Sequence, residues 1–195
     1  GVGNNVQIHS VGYPSFSYFV FEQVYDAAGV PIEGLYVDRN GDGTVTPDDM
    51  YRYKKAAPDA TFGFYTGVNL GNFDLSLGAR AMVGNYVYNN NLASQGVYDF
   101  VYNSSGGSGG GYLNNVDSQT EALDINTPRY FSDHYVQDGS FLRIDHITAG
   151  YDFGNIGSAI SSFRLSITAQ NPLLITGYDG IDPEIAARDI TTNSV

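Results

Sequence analysis

The sequence predicts an all-β protein whose antiparallel strands form part of a large transmembrane β-barrel. Three observations predict this. Apolar and polar residues alternate with period two between Thr61 and Asn89, the repeat of a strand and not of a helix. The arm that starts at Phe73 keeps the alternation through Val83, longer than the roughly 5–6 residues of a soluble strand and suited to the ~9–11 of a membrane strand. The chain holds 16 Tyr, 11 Phe and 24 Gly but only 9 Lys and Arg, a composition that favours pleated backbone over helix.

The first element with its own chemistry is "DRNGDGTVTPDD", an acidic loop. Aligned to a 12-residue calcium loop, Asp38 takes position 1, Asn40 position 3 and Asp42 position 5. Gly43 supplies the sharp turn, Thr44 offers its carbonyl and Asp49 closes the loop. These residues are the candidate Ca2+ ligands. Asp49 stands where the standard loop has Glu, and its shorter arm weakens bidentate ligation. The preceding "PIEGLYV" has no helical period, so a paired EF-hand and a calcium sensor are disfavoured. The bland alternative is an Asx-rich turn with solvated carboxylates. Thr46, Pro47 and Asp49 also read as N-cap, first helical residue and N3 acid, which predicts a short helix through about Lys54.

The hairpin comes next. Phe62, Phe64, Val68 and Leu70 alternate with Gly63, Tyr65, Gly67 and Asn69; after a turn near Gly71, Phe73, Leu75, Leu77, Ala79, Ala81 and Val83 share one face. Residues 90–129 read as a long polar loop with a glycine-rich run, Gly106 to Gly111, that suits a flexible linker. No Lys follows it as a phosphate loop requires. A second strand pair follows. Ile147, Ala149, Tyr151 and Phe153 share a face, while Leu142 and Ile144 fall on the opposite parity. One extra residue flips parity, so a bulge is predicted near Asp145 and His146. Phe163, Leu165, Ile167 and Ala169 then oppose Arg164, Ser166, Thr168 and Gln170. Tyr86, Tyr88, Tyr151 and Phe153, near strand ends, suit the aromatic girdles of an outer-membrane barrel. Short turns on one side and long loops on the other fit the same architecture.

Other residue groups carry less. The formal charge of −12 argues against a nucleic-acid partner. The absence of Cys removes disulfides, thiolate metal sites and Cys nucleophiles together. Ser132, Asp133 and His134 are adjacent; on a strand they would point to opposite faces and make no triad. His9, His134 and His146 lack metal-ligand spacing. Asp179, Asp182 and Glu184 admit a glycosidase pair but read better as a Pro-fixed turn. Arg80, Arg143 and Arg164 sit on polar faces, where in a barrel they would line the lumen beside Asp or Glu. No catalytic residue is expected.

Several longer motifs agree. "VGYPSFSYFVFEQVYDAAGVPIEGLYVDRNGDGTVTPDD" and "PDATFGFYTGVNLGNFDLSLGARA" are followed by "YVQDGSFLRIDHITAGYDF" and "FRLSITAQNPLLITGYDGIDPEI". Together they resemble the C-terminal part of a SusC/RagA-type TonB-dependent outer-membrane transporter of Bacteroidetes, over nearly the whole chain. The resemblance implies a plugged barrel of about 22 strands that imports oligosaccharides or peptides. It implies a SusD-like surface lipoprotein as lid, TonB as energy source and no enzymatic activity. Residues 1–195 are thus expected to be a partial barrel domain, with the family's plug and TonB box upstream of it and its last strand missing after "DPE". Roughly seven or eight strands fit a chain of this length. The competing reading is a soluble, calcium-stabilised β-sandwich that binds glycan through exposed Tyr.

Overall fold

The computed structural model describes residues 6–103, 112–158 and 160–184. The Gly106–Gly111 run lies outside the described residues. In chain order the strands are β1 (Gln7–Ile8), β2 (Ser17–Val20), β3 (Gln23–Tyr25), β4 (Pro31–Tyr36), β5 (Tyr51–Lys55), β6 (Ala60–Leu70), β7 (Phe73–Val83), β8 (Tyr86–Tyr88), β9 (Tyr102–Asn103), β10 (Tyr112–Leu113), β11 (Val136–Asp138), β12 (Phe141–Ile156) and β13 (Ile160–Thr176). The α-helices are short: α1 (Asn90–Gln95), α2 (Tyr98–Val101) and α3 (Thr120–Leu123). The chain divides into two compact units. One comprises Gly1–Ala57, Tyr86–Asp138 and Tyr178–Val195, the other Pro58–Asn85 and Gly139–Gly177.

The second unit is a four-stranded antiparallel sheet, ordered β13-β12-β7-β6. Its strands have 11, 11, 16 and 17 residues in chain order. Eleven residues at ~3.4 Å each span about 35 Å, or roughly 27 Å when tilted by ~40°, close to the ~25 Å apolar band of an outer-membrane barrel. The hairpin pairs Ala60 with Val83 through to Leu70 with Phe73, across the Gly71-Asn72 turn. The bulge falls where expected. Both pairings of β12 shift register between Ile144 and His146. One residue of β12, Asp145, has no partner on β7, and two residues of β13, Asn171 and Pro172, oppose it. Asn171 adopts φ +48° there. The bulge therefore resolves the parity conflict: Leu142 pairs with Ala81 and Ile147 with Leu77, so both stand on the same apolar face.

That face is uncovered. Leu75 is 41% exposed, Leu165 60% and Ile167 75%. A soluble sandwich would set a second sheet about 10 Å away and bury these side chains. Among the described residues the other sheets have two or three strands, none longer than the six residues of β4. The soluble sandwich is thereby overturned: the sheet is a single layer with its greasy side outward.

The first unit is built the opposite way. Tyr18, Tyr88, Leu92, Ala93, Val97, Leu123, Ile125, Tyr135 and Val136 form a buried cluster. Asn89 caps α1 by accepting the Leu92 N–H at 3.0 Å, which presents Leu92 and Ala93 to that core. The stretch 90–129 is thus not a plain polar loop: among its described residues Leu92, Ala93, Val97, Leu123 and Ile125 meet in one cluster, which the average composition hides. Tyr88 is 8% exposed, a core residue and not part of a girdle. Among the described residues four strands are long enough to span, against the seven or eight expected, because β1–β5 have only two to six residues.

The short helix after the acidic loop is a single 3-10 turn, Pro47–Asp49, with Thr46 as N-cap and the capping box complete. It stops before Lys54. Tyr51–Lys55 forms β5 and pairs with β2 instead. Tyr51, Arg52 and Tyr53 lack apolar residues at helical spacing, and the strand partner decides.

Candidate functional site: the acidic loop and the polar sheet face

The acidic loop is closed by its own backbone. Gly41 and Gly43 take φ +75° and +87°, values open to glycine without strain. Asp38 accepts the N–H groups of Gly41 and Gly43 at 2.7 and 2.8 Å. Asn40 Oδ1 accepts Asp42 N–H and Asp42 Oδ1 accepts Thr44 N–H, each at 2.8 Å. Asp49 is fully buried. One of its oxygens accepts Arg39 N–H at 2.9 Å and Asn40 N–H at 3.1 Å, and the other accepts Thr46 N–H at 2.8 Å. The bonds from Thr46 and Asn40, outweighing burial, hold its carboxyl below the usual range. Asp38, Asn40, Asp42, Thr44 and Asp49 are thus brought into one loop. Among the described residues, no group of three or more His, Cys, Asp or Glu is placed to hold a metal ion. Asp49 acts visibly as the clasp.

Around the clasp runs a polar chain that sequence reading missed. Arg39 pairs with Glu22, and its guanidinium lies 4.3 Å over the Tyr51 ring. Tyr51 donates to Asp133 Oδ2 at 2.7 Å, and Asp133 Oδ1 accepts Gln23 N–H at 3.0 Å. Ser132 donates to Gln23 Oε1 at 2.8 Å. Glu33 accepts from the backbone and side chains of Asn126 and Thr127 and from Arg129 at 2.7–3.3 Å. Burial pushes the Glu33 carboxyl up, but these bonds outweigh it and bring it to about 2. Ser132, Asp133 and His134 lie on a 3-10 turn capped by Ser132, not on a strand. Their side chains do not bond one another: Ser132 and Asp133 both meet Gln23, and His134 Nδ1 meets Tyr25 Oη at 3.2 Å. Burial lowers the His134 pKa, against the pull of Asp133. At the chain's far end Asp182 accepts Glu184 N–H across Pro183, the turn that was expected.

The polar face of the sheet carries ion pairs lying across strands. Arg164 of β13 reaches Asp74 of β7 with contacts of 2.7, 2.9 and 3.2 Å. The pair crosses β12 above Gly150, where a Cβ would lie 2.5 Å from Asp74 Oδ1 and 2.6 Å from Arg164 Nη2. Arg80 Nε lies 3.4 Å from Asp145, the bulged residue. Arg143, 8% exposed, stands beside Arg80 in register. Thr148 and Thr168 share a hydrogen bond of 2.9 Å. The three arginines therefore lie on the polar face, as the alternation implied, and Arg80 and Arg164 stand beside carboxylates. At the short-turn end of the opposite face, Tyr151, Phe153 and Phe163 pack ring against ring at 4.7 and 5.4 Å. Tyr151 and Phe153 thus stand where a girdle would.

Four strands of bilayer length, greasy on one side and polar on the other, define a section of transmembrane β-barrel wall. The outer edges of β6 and β13 have no partner strand among the described residues. Backbone groups left unpaired in hydrocarbon cost several kcal/mol each, so such a wall section needs neighbouring strands.

No family model matches the chain. The TonB-dependent receptor SusC of Bacteroides thetaiotaomicron is 41% identical over 195 residues, covering 94% of this chain and 18% of SusC. The TonB-dependent receptor P3 of Formosa agariphila is 28% identical over 164 residues, 80% of this chain and 16% of its own. The solved RagAB peptide importer in its closed-closed state superposes with a TM-score of 0.64 at 22% identity, over 94% of this chain and 22% of that one. Its open-open state gives 0.62 at 24% identity, over 94% and 21%. These two structures carry the fold alone. The chain spans about a fifth of the length of the curated relatives it matches. It belongs to the SusC/RagA-type TonB-dependent outer-membrane transporters, as a section of their barrel.

Proposed function

We propose that this chain forms wall and surface elements of an active importer in the outer membrane of a Gram-negative, Bacteroidetes-like bacterium. The solute is an oligosaccharide or, as the second reading, a peptide. A SusD-like lipoprotein closes the entrance from outside. TonB supplies energy through a part of the longer protein outside this chain. Outer-membrane lipid covers the apolar face of β6, β7, β12 and β13. The chain's part is passive: it holds the wall and lines the path, and no residue in it is assigned bond-making chemistry. The observation that supports this most is the exposure of Leu75, Leu165 and Ile167 on one side of a single-layer sheet. Uptake of a labelled oligosaccharide by cells carrying the whole transporter tests it. Uptake should stop when the proton gradient is collapsed and fall when the lipoprotein gene is deleted. Uptake indifferent to both would overturn the proposal.

A second proposal is that the acidic loop takes up Ca2+ through Asp38, Asn40, Asp42 and the Thr44 carbonyl, with Asp49 as clasp and last ligand. Its support is the ligand spacing and the inward bonding of Asp38, Asn40 and Asp42 to the loop's own N–H groups. Each such oxygen keeps a second lone pair for a cation. Metal analysis decides: one Ca2+ per chain is expected, and Asp42→Ala should lose it. Unchanged calcium in that variant removes the ligand assignment.

A further inference from the structure

Three of the nine Lys and Arg of this acidic chain fall within four residues, Arg52, Lys54 and Lys55. They lie on β5, the outer strand of the β1-β2-β5 sheet. Arg39, Arg80, Arg129 and Arg164 each meet a carboxylate. Arg52 and Lys54 are held by rings instead. The Arg52 guanidinium lies 4.1 Å over the Tyr13 ring, and its Nη2 donates to Ser10 Oγ at 2.6 Å. Its Nε is buried without a hydrogen-bond partner among the described residues. Lys54 Nζ stands 4.9 Å from the Tyr86 ring and 5.4 Å from that of Tyr53. Among the described residues neither of these two cations forms an ion pair. Rings fix a cation's position without cancelling its charge. Lysine on an edge strand also guards against stray pairing, but that role needs no ring beside it.

We propose that Arg52 and Lys54 bind the phosphate of an anionic lipid headgroup in the outer leaflet. It rests on the reading of β6, β7, β12 and β13 as a membrane wall. Two residues apart on a strand, the two cations share a face, with Cα atoms about 7 Å from each other. A guanidinium fork and an ammonium at that spacing close on one phosphate, the fork giving paired N–H donors and the ammonium a point charge. The course of the chain favours a lipid as the source of that phosphate. β5 leads into β6, which begins at Ala60, and Tyr86 follows β7, which ends at Val83. Ala60 and Val83 are paired. Three residues of chain, at most about 11 Å, separate Tyr86 from that paired end. The long connection from β7 to β12 marks this end as the outward one. Tyr beside Lys and Arg is the pairing found at headgroup depth, where the ring has one apolar and one wet side.

The test uses the intact transporter in a non-ionic detergent. Monophosphoryl lipid A with a fluorophore on an acyl chain is titrated in and followed by anisotropy. The same lipid with its phosphate removed is the reference, and it should bind about tenfold more weakly, the effect of ~1.4 kcal/mol. Arg52→Gln together with Lys54→Gln should bring the two lipids to equal affinity. Lys54→Gln alone should lower the preference, and Lys54→Arg should keep it. Equal affinities in the parent protein overturn the site while leaving the wall reading intact. So does a preference that survives Lys54→Gln, whether or not the double variant folds. Inorganic phosphate that displaces the lipid at equal concentration would make this a site for a free anion and overturn the lipid assignment. If neither lipid binds, the reading of the sheet's apolar face as lipid-covered fails with the site.

Discussion

The two units of this chain use the same residue types in opposite ways. Leu92, in the first unit, is 1% exposed and Leu165, on the sheet, 60%. One unit hides its apolar side chains from water in a common centre. The other turns them away from its own polar face and leaves them without protein cover. Charge follows the same division. The sheet unit carries four Asp and three Arg, so the chain's balance of −12 falls almost wholly in the other unit. A pattern of greasy and polar residues thus fixes which faces differ, and the medium fixes which of them points inward.

Substitutions that exchange the two logics break the comparison most sharply. Leu92→Ala empties part of a closed core and should cost about 2–5 kcal/mol. Ile167→Arg puts a guanidinium on the lipid side and should cost about 2–4 kcal/mol near the bilayer midplane. Its neighbour Thr168→Arg, one residue along and on the other face, should cost far less. Urea unfolding of the whole protein in lipid measures all three. Equal losses at 167 and 168 would show that the sheet has no lipid side.

A smaller effect belongs to the clasp. Asp49→Ala leaves the N–H groups of Arg39, Asn40 and Thr46 without their acceptor and should cost about 1–3 kcal/mol. Hydrogen exchange at those three amides should speed up, while the amides of β7 and β12 stay protected. Exchange unchanged in the loop would remove the clasp.

The smallest effect is the pH dependence of the first unit. Glu33 titrates at about 2 in place of its ordinary 4.5, and His134 below its ordinary 6.5. Both values are depressed by folding, so the unfolded chain binds these protons first. The stability these groups contribute is complete above about pH 6.5. The His134 share falls as pH drops below that value, and the Glu33 share falls from about 4.5 towards 2. Exchange rates in the 126–134 segment, each taken relative to the intrinsic rate at that pH, should rise as pH drops through that range. Glu33→Gln should remove the acidic part of the rise, and a rise that survives the change would assign it elsewhere.

The division between the units also explains what the sequence made legible. The hairpin, its Gly71 turn and the bulge at Asp145 were readable because strand alternation is local: each residue's face follows from its neighbours two positions away. The closure of the acidic loop by Asp49 was readable as a capping signal for the same reason. The first unit was not. Its strands β1–β5 and helices α1–α3 are too short to show a period. Its polar anchors join residues far apart, Glu33 to Thr127 and Tyr51 to Asp133, and no local pattern announces them. The helix expected through Lys54 failed on this point, since β5 owes its conformation to β2 rather than to its own residues. On the polar face, the alternation placed Arg164 and Asp74 on one side, but only the register across β12 revealed that Gly150 lets them meet.

The central claim is that the apolar face of β13 meets hydrocarbon and the polar face meets water. Spin labels placed one at a time at Leu165, Ser166, Ile167 and Thr168 of the whole transporter in lipid vesicles test it directly. Collisions with oxygen should dominate at 165 and 167, and collisions with a water-soluble nickel chelate at 166 and 168. Equal accessibility at all four positions, or burial from both agents at 165 and 167, would contradict it.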